Sequence, residues 1–319
     1  EYRRPRTATL TAAAAGALLA AGTAGAAGTL DILTWEGYAD ESFVEPFEEQ
    51  TGCEVNSTYV GSNDEFVAKV LGGGAVYDLV SPSNDTTMRL IDAGAVEPID
   101  RARMSHMDEF FDEFKSPAWL TKNGEMYGVP YGWGIQRIIV NGDEVPNPEK
   151  SLSILWDDRF RDQVSIWDDL EAIYMTARYL GFEDSYNLTD EQLQQVKEKL
   201  IEMKPNIRKY WRTTGEMGNL MSSGEVVAGN SWESTIVKLR DEGMNVIDLR
   251  PKEGRGGWAD SWMIVEGAGD NACVYQWLNY NSSPKAQALA HEVTGFGYSN
   301  RNLVDHLDGE AKEQYQGLG

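Results

Sequence analysis

Residues 30–60, LDILTWEGYADESFVEPFEEQTGCEVNSTYV, decide the fold class of this chain. Residues 30–34 show the pattern of a short strand, and residues 41–50 follow a helical pattern. Residues 54–60 then alternate in polarity as a second strand does. A strand, a helix and another strand in this order are typical of a parallel sheet covered by helices. The segment therefore predicts an α/β fold.

The same alternation continues along the chain, whose 319 residues are enough for about two domains. A helix over 64–71, a strand over 78–80 and a helix over 86–93 precede a looser stretch over 100–130. Further strands are predicted over 163–167, 224–230, 245–249 and 258–265, and further helices over 171–180, 189–203, 214–222, 235–242, 272–279 and 284–293. Since no low-complexity linker separates two halves, we expect the chain to cross between two lobes more than once.

The composition is that of a globular protein with a strong negative charge. Hydrophobic residues make up 41% and charged residues 25% of the chain. Against 28 Lys and Arg stand 51 Asp and Glu, which gives a net charge of −23 at pH 7. Such a field repels nucleic acid and anionic membrane surfaces and attracts cations. We therefore expect no nucleic-acid partner, while a cationic ligand and mere solubility in a salty habitat both stay open as reasons for the charge.

The N-terminus has the pattern of a secretory signal peptide. Arg3, Arg4 and Arg6 form a positive region, an Ala/Leu stretch covers residues 8–21, and Ala-Gly-Ala at 24–26 is a small-residue cleavage site. The stretch is too weakly apolar for a membrane-spanning helix. We expect residues 1–26 to be a signal peptide that is cleaved near Ala26, which predicts a periplasmic location.

The two cysteines of the chain, Cys53 and Cys273, are far apart in the sequence. Export would place them in an oxidising compartment, where a disulfide persists. Whether their Cα atoms lie near enough for a bridge does not follow from the sequence. The bridged and the free states both stay open.

Aromatic and acidic residues recur next to the ends of the predicted strands. Taken singly, such residues are usually core packing or helix N-caps. Taken together they predict a ligand crevice, because ligands of open α/β sheets bind beyond the carboxyl ends of the strands. Carboxylates and Trp rings both attract ammonium groups. The residues are Trp35, Glu36 and Tyr38; Ser83 and Asp85; Asp168 and Asp169; Trp211 and Arg212; Trp232 and Glu233; and Trp258 and Asp260.

Five short motifs resemble the polyamine (spermidine/putrescine) periplasmic binding proteins. They are DILTWEGY at 31–38, YDLVSPS at 77–83, GVPYGWG at 128–134, PKEG at 251–254 and WADS at 258–261. The motifs span nearly the whole chain after the predicted signal, in the order of that family. The resemblance implies a two-lobed type II periplasmic-binding-protein fold with a central ligand cleft.

The same resemblance implies the division into lobes and the position of the site. Hinge crossings are expected near Trp133 and Gly257, so that lobe 1 comprises residues 27–132 and 258–297, and lobe 2 comprises 133–257 and 298–319. Asp260 is expected to bind an amino group of the ligand, and the rings of Trp232 and Trp258 are expected to flank its methylene chain. The expected ligand-binding residues are Trp35, Glu36, Tyr38, Ser83, Asp85, Asp169, Arg212, Trp232, Trp258, Asp260 and Phe296.

The chain departs from the polyamine receptors at several of these positions. Ala172 stands where the family tends to have a second acid, and Asp85 and Phe296 stand where it tends to have tyrosines. Arg212 replaces a small polar residue. An arginine in the pocket suits the carboxylate of a zwitterion such as 4-aminobutyrate. Alternatively, Arg212 pairs with a carboxylate of the protein (Glu36, Asp85 or Glu233), and both hypotheses stay open.

These patterns predict a binding protein rather than an enzyme. The three histidines, His106, His291 and His306, have no zinc-site spacing, and neither a nucleophile elbow nor a phosphate-binding loop occurs in the sequence. We expect an extracytoplasmic solute-binding protein of an ABC importer, without cofactor or metal, that acts as a monomer. It would bind a small amine or ω-amino acid and deliver it to an inner-membrane permease. A hydrolase or transferase on the same fold is the alternative.

Overall fold

The computed structural model of the protein describes residues 28–73 and 76–318. The predicted signal peptide, with its cleavage near Ala26, lies outside the described residues. The described chain forms two lobes, each built around its own sheet. The predicted α/β, two-lobed fold is confirmed. Within the described residues, no helix is both long enough and apolar enough to cross a membrane.

Strands and helices alternate along the chain. The strands are β1 Thr29–Trp35, β2 Glu54–Val60, β3 Leu79–Val80, β4 Val96–Glu97, β5 Thr121–Lys122, β6 Glu125–Met126, β7 Val129–Ile135, β8 Arg137–Asn141, β9 Val164–Trp167, β10 Ile207–Trp211, β11 Ala228–Ser231, β12 Val246–Leu249, β13 Gly257–Val265 and β14 Gly297–Tyr298. The α-helices are α1 Glu41–Thr51, α2 Asn63–Leu71, α3 Thr87–Asp92, α4 Glu171–Tyr179, α5 Asp190–Met203, α6 Thr214–Ser222, α7 Glu233–Asp241, α8 Ala272–Ser282, α9 Pro284–Thr294 and α10 Gly309–Gln316. Short 3-10 turns, for example Leu152–Trp156 and Arg301–His306, connect several of them.

The larger sheet has the strand order β14-β7-β13-β3-β1-β2, and β4 pairs with β13 outside this row. The segment that predicted the fold forms its parallel part: β1 pairs in parallel with β2 and β3. Leu30, Ile32 and Leu33 of β1 are fully buried, as the strand pattern requires. The smaller sheet has the order β10-β9-β11-β8-β12, in which β9, β10 and β11 are parallel. In each sheet the parallel strands therefore point their carboxyl ends at one edge.

The described chain crosses between the sheets at two places that lie side by side. Gln136 alone separates β7 of the larger sheet from β8 of the smaller one. Residues 250–256 lead back from β12 to β13. The backbone N–H of Gln136 donates to the carbonyl of Gly256 at 2.8 Å, so the two crossings are joined directly. Two adjacent short connections are the geometry of a hinge between two lobes.

A large apolar core fills the first lobe. It includes Phe43 and Phe47 of α1 and reaches Trp277 of α8, whose ring meets that of Phe47 edge to face at 5.0 Å. Cys53 and Cys273 form a disulfide with their Cα atoms 5.9 Å apart, a distance typical of bridged cysteines. The bridge ties the turn before β2 to the first turn of α8. The question that the sequence left open is thus resolved in favour of the bridge.

The C-terminal segment packs on the first lobe, and the expected assignment of residues 298–319 to lobe 2 was wrong. Tyr298 lies in β14, which pairs with β7 of the larger sheet. Leu303 and Leu307 are buried in the core of the first lobe. His291 of α9 contacts the Ala311 carbonyl of α10, at 3.1 Å from Nε2. Below, lobe 1 means residues 28–135 and 257–318, and lobe 2 means residues 136–256.

Candidate ligand cleft between the lobes

A cavity of about 530 Å³ lies between the two lobes. It is bounded by the segments that follow β1, β3, β9, β10 and β11 and by the first half of β13. This is the crevice that the strand-end pattern predicted. All of the predicted ligand-binding residues line it: Trp35, Glu36, Tyr38, Ser83, Asp85, Asp169, Arg212, Trp232, Trp258, Asp260 and Phe296.

Asp260, on β13, is the acid of the lobe 1 wall. It is only 4% exposed, and its Oδ2 accepts a hydrogen bond from the hydroxyl of Tyr38 at 2.6 Å. Its Oδ1 accepts no hydrogen bond from the described residues. Burial raises the pKa of Asp260 to about 7; the hydrogen bonds of Tyr38 and Ser83 oppose this shift, and the charges of Asp85 and Asp169 contribute to it. A buried carboxylate with an unused oxygen is a ready acceptor for a cationic donor.

Two more acids face Asp260, one from each lobe. Asp85 follows β3 in lobe 1, and burial raises its pKa although the Tyr174 hydroxyl beside it lowers it. Asp169 follows β9 in lobe 2 and accepts the backbone N–H of Asn63 at 2.8 Å. Burial raises the pKa of Asp169 to about 7, and the charge of Asp85 adds to the shift. The negative charges of these acids repel one another across the cleft. Only a ligand that brings positive charge would relieve this repulsion.

Glu171 is a further cleft acid, which the sequence analysis did not identify. It is the first residue of α4 and pairs with Arg178, two turns further along the same helix face. Burial raises the pKa of Glu171, and the charge of Arg178 opposes the shift. The sequence analysis placed the missing family acid at Ala172, which instead packs against the core of lobe 2. An acid that lines the cavity thus stands one position before Ala172 on the same helix.

A row of aromatic rings forms the apolar part of the cleft. Neighbouring rings meet edge to face: Trp35 with Trp167 at 5.9 Å, Trp167 with Trp232 at 5.0 Å and Trp232 with Trp258 at 5.8 Å. The row ends at Phe296, 4.8 Å from Trp258. It passes from lobe 1 to lobe 2 and back, so an apolar chain in the cleft would contact both lobes. Edge-to-face pairs of this kind also fix the orientation of each ring.

A glycine in the motif at 128–134 positions one of these rings. Gly134 of β7 lies opposite Trp258 of β13. A Cβ atom at Gly134 would come within 2.6 Å of the Trp258 ring. Because glycine has no side chain, the indole lies flat against the strand and turns toward the cleft.

Arg212 lies at the rim of the cleft, where it is 65% exposed. Its Nε and Nη2 donate to Oδ2 of Asp168 at 3.0 and 2.8 Å. The hypothesis that Arg212 pairs with a protein carboxylate is consistent with this geometry, but the named partners were wrong. Glu233 pairs instead with Arg137, and the other two candidates, Glu36 and Asp85, make no ion pair with Arg212 in the described residues.

The two lobes touch each other across the cleft. The indole Nε1 of Trp167 in lobe 2 donates to the carbonyl of Gly61 in lobe 1 at 2.9 Å. The hydrogen bond from Asn63 to Asp169, described above, crosses in the same region. Gly61 has little free space, since a Cβ atom there would lie 3.1 Å from the carbonyl oxygen of Arg212. These contacts define a conformation in which the cleft is closed around the cavity.

The arrangement of two lobes, an adjacent pair of crossings and a cleft lined from both sides is that of a solute receptor. A model of the family described as bacterial extracellular solute-binding protein matches residues 42–316. The chain belongs to this family. Its members bind solutes and are not enzymes, so the prediction of an extracytoplasmic binding protein is confirmed, and the hydrolase or transferase alternative is not favoured.

Similar proteins confirm the resemblance that the motifs indicated. The spermidine/putrescine-binding periplasmic protein of Escherichia coli (strain K12) is 28% identical over 277 residues, which cover 85% of this chain and 78% of that protein. The TpPotD lipoprotein of Treponema pallidum has the same fold, with a TM-score of 0.77, 21% identity and coverage of 91% and 98% of the two chains. The GABA receptor Atu4243 also has this fold, with a TM-score of 0.72, 20% identity and coverage of 90% and 87%.

Several residues that line the cleft of this solute-binding protein escaped the sequence analysis. Tyr174 lies on α4 one turn after Glu171, on the same helix face. Its place in the cleft could have been predicted together with that of Glu171. Tyr186 lies in a loop, and its ring is 4.6 Å from that of Tyr174. Gln136 is the crossing residue itself, for which no motif exists. The missed lining residues include Asn63, Gln136, Trp167, Glu171, Tyr174 and Tyr186.

Proposed function

We propose that this solute-binding protein captures a small polyamine such as putrescine or spermidine in the periplasm. The observation that carries the proposal is the set of mutually repelling acids Asp85, Asp169 and Asp260, which are buried or partly buried and come from both lobes. The protein would close around the amine and deliver it to an inner-membrane ABC permease. We further propose that it acts as a monomer after removal of residues 1–26, with cleavage near Ala26.

Electrostatics favour a ligand with more than one positive charge. Glu171 already pairs with Arg178, whereas Asp85, Asp169 and Asp260 make no ion pair with any described residue. Two unit charges about 4 Å apart interact by roughly 4 kcal/mol at the effective dielectric constant of a partly exposed protein site. An amine that places ammonium groups near these acids would relieve their repulsion and satisfy the unused Oδ1 of Asp260.

The aromatic row supplies the complementary apolar surface. Trp232 and Trp258 would flank the methylene groups of the ligand, and their faces would attract its ammonium ends by up to about 2 kcal/mol when water is excluded. The cavity, at about 530 Å³, has the size of an ordinary small-molecule site. The relative from Escherichia coli is named for spermidine and putrescine, which have this combination of charge and apolar chain.

An ω-amino acid such as 4-aminobutyrate is the second candidate. It is favoured by the presence of Arg212 in the cleft lining and by the similar fold of a GABA receptor. However, Arg212 is already bound to Asp168 at the exposed rim, where its charge is screened by water. A ligand carboxylate would also lie near several buried acids and be repelled by them. The polyamine is therefore the better match.

The lobes suggest how binding would be coupled to transport. Asp85 and Asp260 belong to lobe 1, whereas Asp169 belongs to lobe 2, so a cation held by all of them favours the closed form. Without it, repulsion between these acids favours opening about the crossings at Gln136 and residues 250–256. The permease would then distinguish the loaded receptor from the empty one by the separation of the lobes.

Calorimetric titration of the chain from residue 27 onward with putrescine, spermidine and 4-aminobutyrate tests this proposal. We expect both polyamines to bind and 4-aminobutyrate to give no heat. Binding of 4-aminobutyrate alone, lost in Arg212→Ala, would instead assign the cleft to the ω-amino acid. If none of the three binds, the amine assignment is wrong and only the solute-binding role remains.

A further inference from the structure

Arg178 lies directly behind the cleft wall. Its Nη2 donates to Oε1 of Glu171, which lines the cavity, whereas Arg178 itself is not part of the lining. The two side chains are only 13% and 12% exposed. They stand seven residues apart on α4, which places them two turns apart on the same helix face. The arginine thus holds the cleft acid from the protein side.

The second crossing covers this ion pair. A Cβ atom at Gly256 would come within 2.7 Å of Oε1 of Glu171 and 3.0 Å of Nη2 of Arg178. The glycine allows the backbone to lie against both charged groups and keeps water away from them. Charges in such a place are screened much less than charges at the surface. The charge of Arg178 is therefore less screened by water and salt than that of an arginine at the surface.

Arg212, the other arginine of the cleft region, differs from Arg178 in its exposure to solvent. Arg212 is bound to Asp168 at the rim, with 65% of its side chain exposed, so salt and water weaken its field. Among the described residues, Arg178 is the only Lys or Arg that pairs with one of the four cleft acids Asp85, Asp169, Glu171 and Asp260. It leaves three of these acids for the ligand to neutralise.

We infer that Arg178 is a specificity-determining residue that acts as a built-in cation. It neutralises Glu171 from the protein side, as a further ammonium group of the ligand would from the cavity, and so limits the positive charge that the cleft accepts. This inference rests on the proposed function, since it concerns the charge of an amine ligand. It identifies a residue outside the cavity as one that discriminates between diamines and amines of higher charge.

The test is the ratio of spermidine to putrescine affinity, measured by calorimetry at about pH 8. Arg178→Gln removes the charge but keeps an amide donor near Glu171, so the ratio should rise on the order of tenfold in favour of spermidine. Arg178→Lys keeps the charge and should keep the wild-type ratio. Glu171→Gln leaves the arginine unpaired beside the cleft and should lower the ratio by a similar factor. The double variant, which lacks both charges, should return it to the wild-type value.

The test does not depend on any single variant. If Arg178→Gln does not fold, the fall in Glu171→Gln and its reversal in the double variant still decide the question. An unchanged ratio in a folded single variant, with the wild-type protein binding both amines, would overturn the role of Arg178 and leave the proposed function intact. A wild-type protein that binds neither amine would overturn the proposed function itself.

Discussion

Two aspartates flank the same cleft under opposite conditions. Asp260, in the lobe 1 wall, is 4% exposed, has a Tyr38 hydroxyl on one oxygen and nothing from the described residues on the other. Asp168, at the lobe 2 rim, is 43% exposed and is held by Arg212. The chemical group is the same, but Asp260 lies in a buried wall, where burial raises its pKa to about 7. Burial, rather than the presence of a charge, thus decides which acid can contribute to binding.

The largest expected effect comes from Asp260→Asn. The change keeps the shape and an acceptor for Tyr38 but removes the buried charge that the ligand ammonium would meet. Loss of one partner from a buried charge pair costs about 2–5 kcal/mol, so the affinity for putrescine should fall on the order of 100-fold or more. Calorimetry on both variants checks this, with Asp168→Asn as the matched change at the rim. Equal losses in the two variants would contradict the contrast between wall and rim.

The second largest effect concerns pH. The pKa values of Asp260 and Asp169 are raised to about 7 in the ligand-free cleft. A cationic ligand binds their ionised forms, so protonation competes with it and the affinity falls as the pH drops below that value. One such group reduces the affinity by about 30-fold between about pH 8 and about pH 5.5. Titration of putrescine at both pH values measures the change.

Stability should follow the opposite trend in the ligand-free protein. Because the folded pKa of these acids lies above the unfolded value, their contribution to folding is fully present below about pH 4 and is lost as the pH rises through about 7. Asp260→Asn should therefore weaken the pH dependence of both affinity and melting temperature. A variant with the full wild-type pH dependence would show that other groups are responsible.

The aromatic row should contribute less than the acid. Trp258→Ala removes one ring that meets Trp232 and Phe296 edge to face, together with its attraction for ammonium. We expect the putrescine affinity to fall about tenfold, in keeping with a partly desolvated cation–π contact of about 1–2 kcal/mol. Trp258→Phe, which keeps an aromatic face, should recover most of the loss. If the phenylalanine variant binds as weakly as the alanine variant, the indole acts through its shape or its N–H group instead.

The site was predictable largely because it depends on strand ends. Trp35, Asp85, Asp169 and Trp232 stand at or beyond the carboxyl end of a strand whose pattern is visible in the sequence, and parallel strands bring such positions together. This inference did not require knowledge of how the two lobes face each other.

The features that could not be predicted from the sequence depend on how residues are arranged in three dimensions. Strand β10 was missed because it is an edge strand whose Arg208, Lys209 and Tyr210 face solvent, so it has no apolar pattern. Glu171 was missed because a shift of one residue turns a side chain by about 100° around a helix. The partner of Arg212 lies 44 residues away in the chain, which no spacing rule anticipates.

Arg212 provides the smallest expected effect and the sharpest test of the rim. An exposed ion pair is worth about 0–1 kcal/mol, and removing its cation leaves Asp168 to attract the ligand weakly through water. Arg212→Gln should therefore change the putrescine affinity by less than about threefold, with a slight gain at low salt that disappears at high salt. Calorimetry at two salt concentrations measures both numbers, and Asp168→Asn, which frees the arginine, should give the reverse change of similar size. A large loss in Arg212→Gln could not come from screening at an exposed rim. It would mean that the lobes close further than in this structure and bring Arg212 onto the ligand, as an ω-amino acid would require.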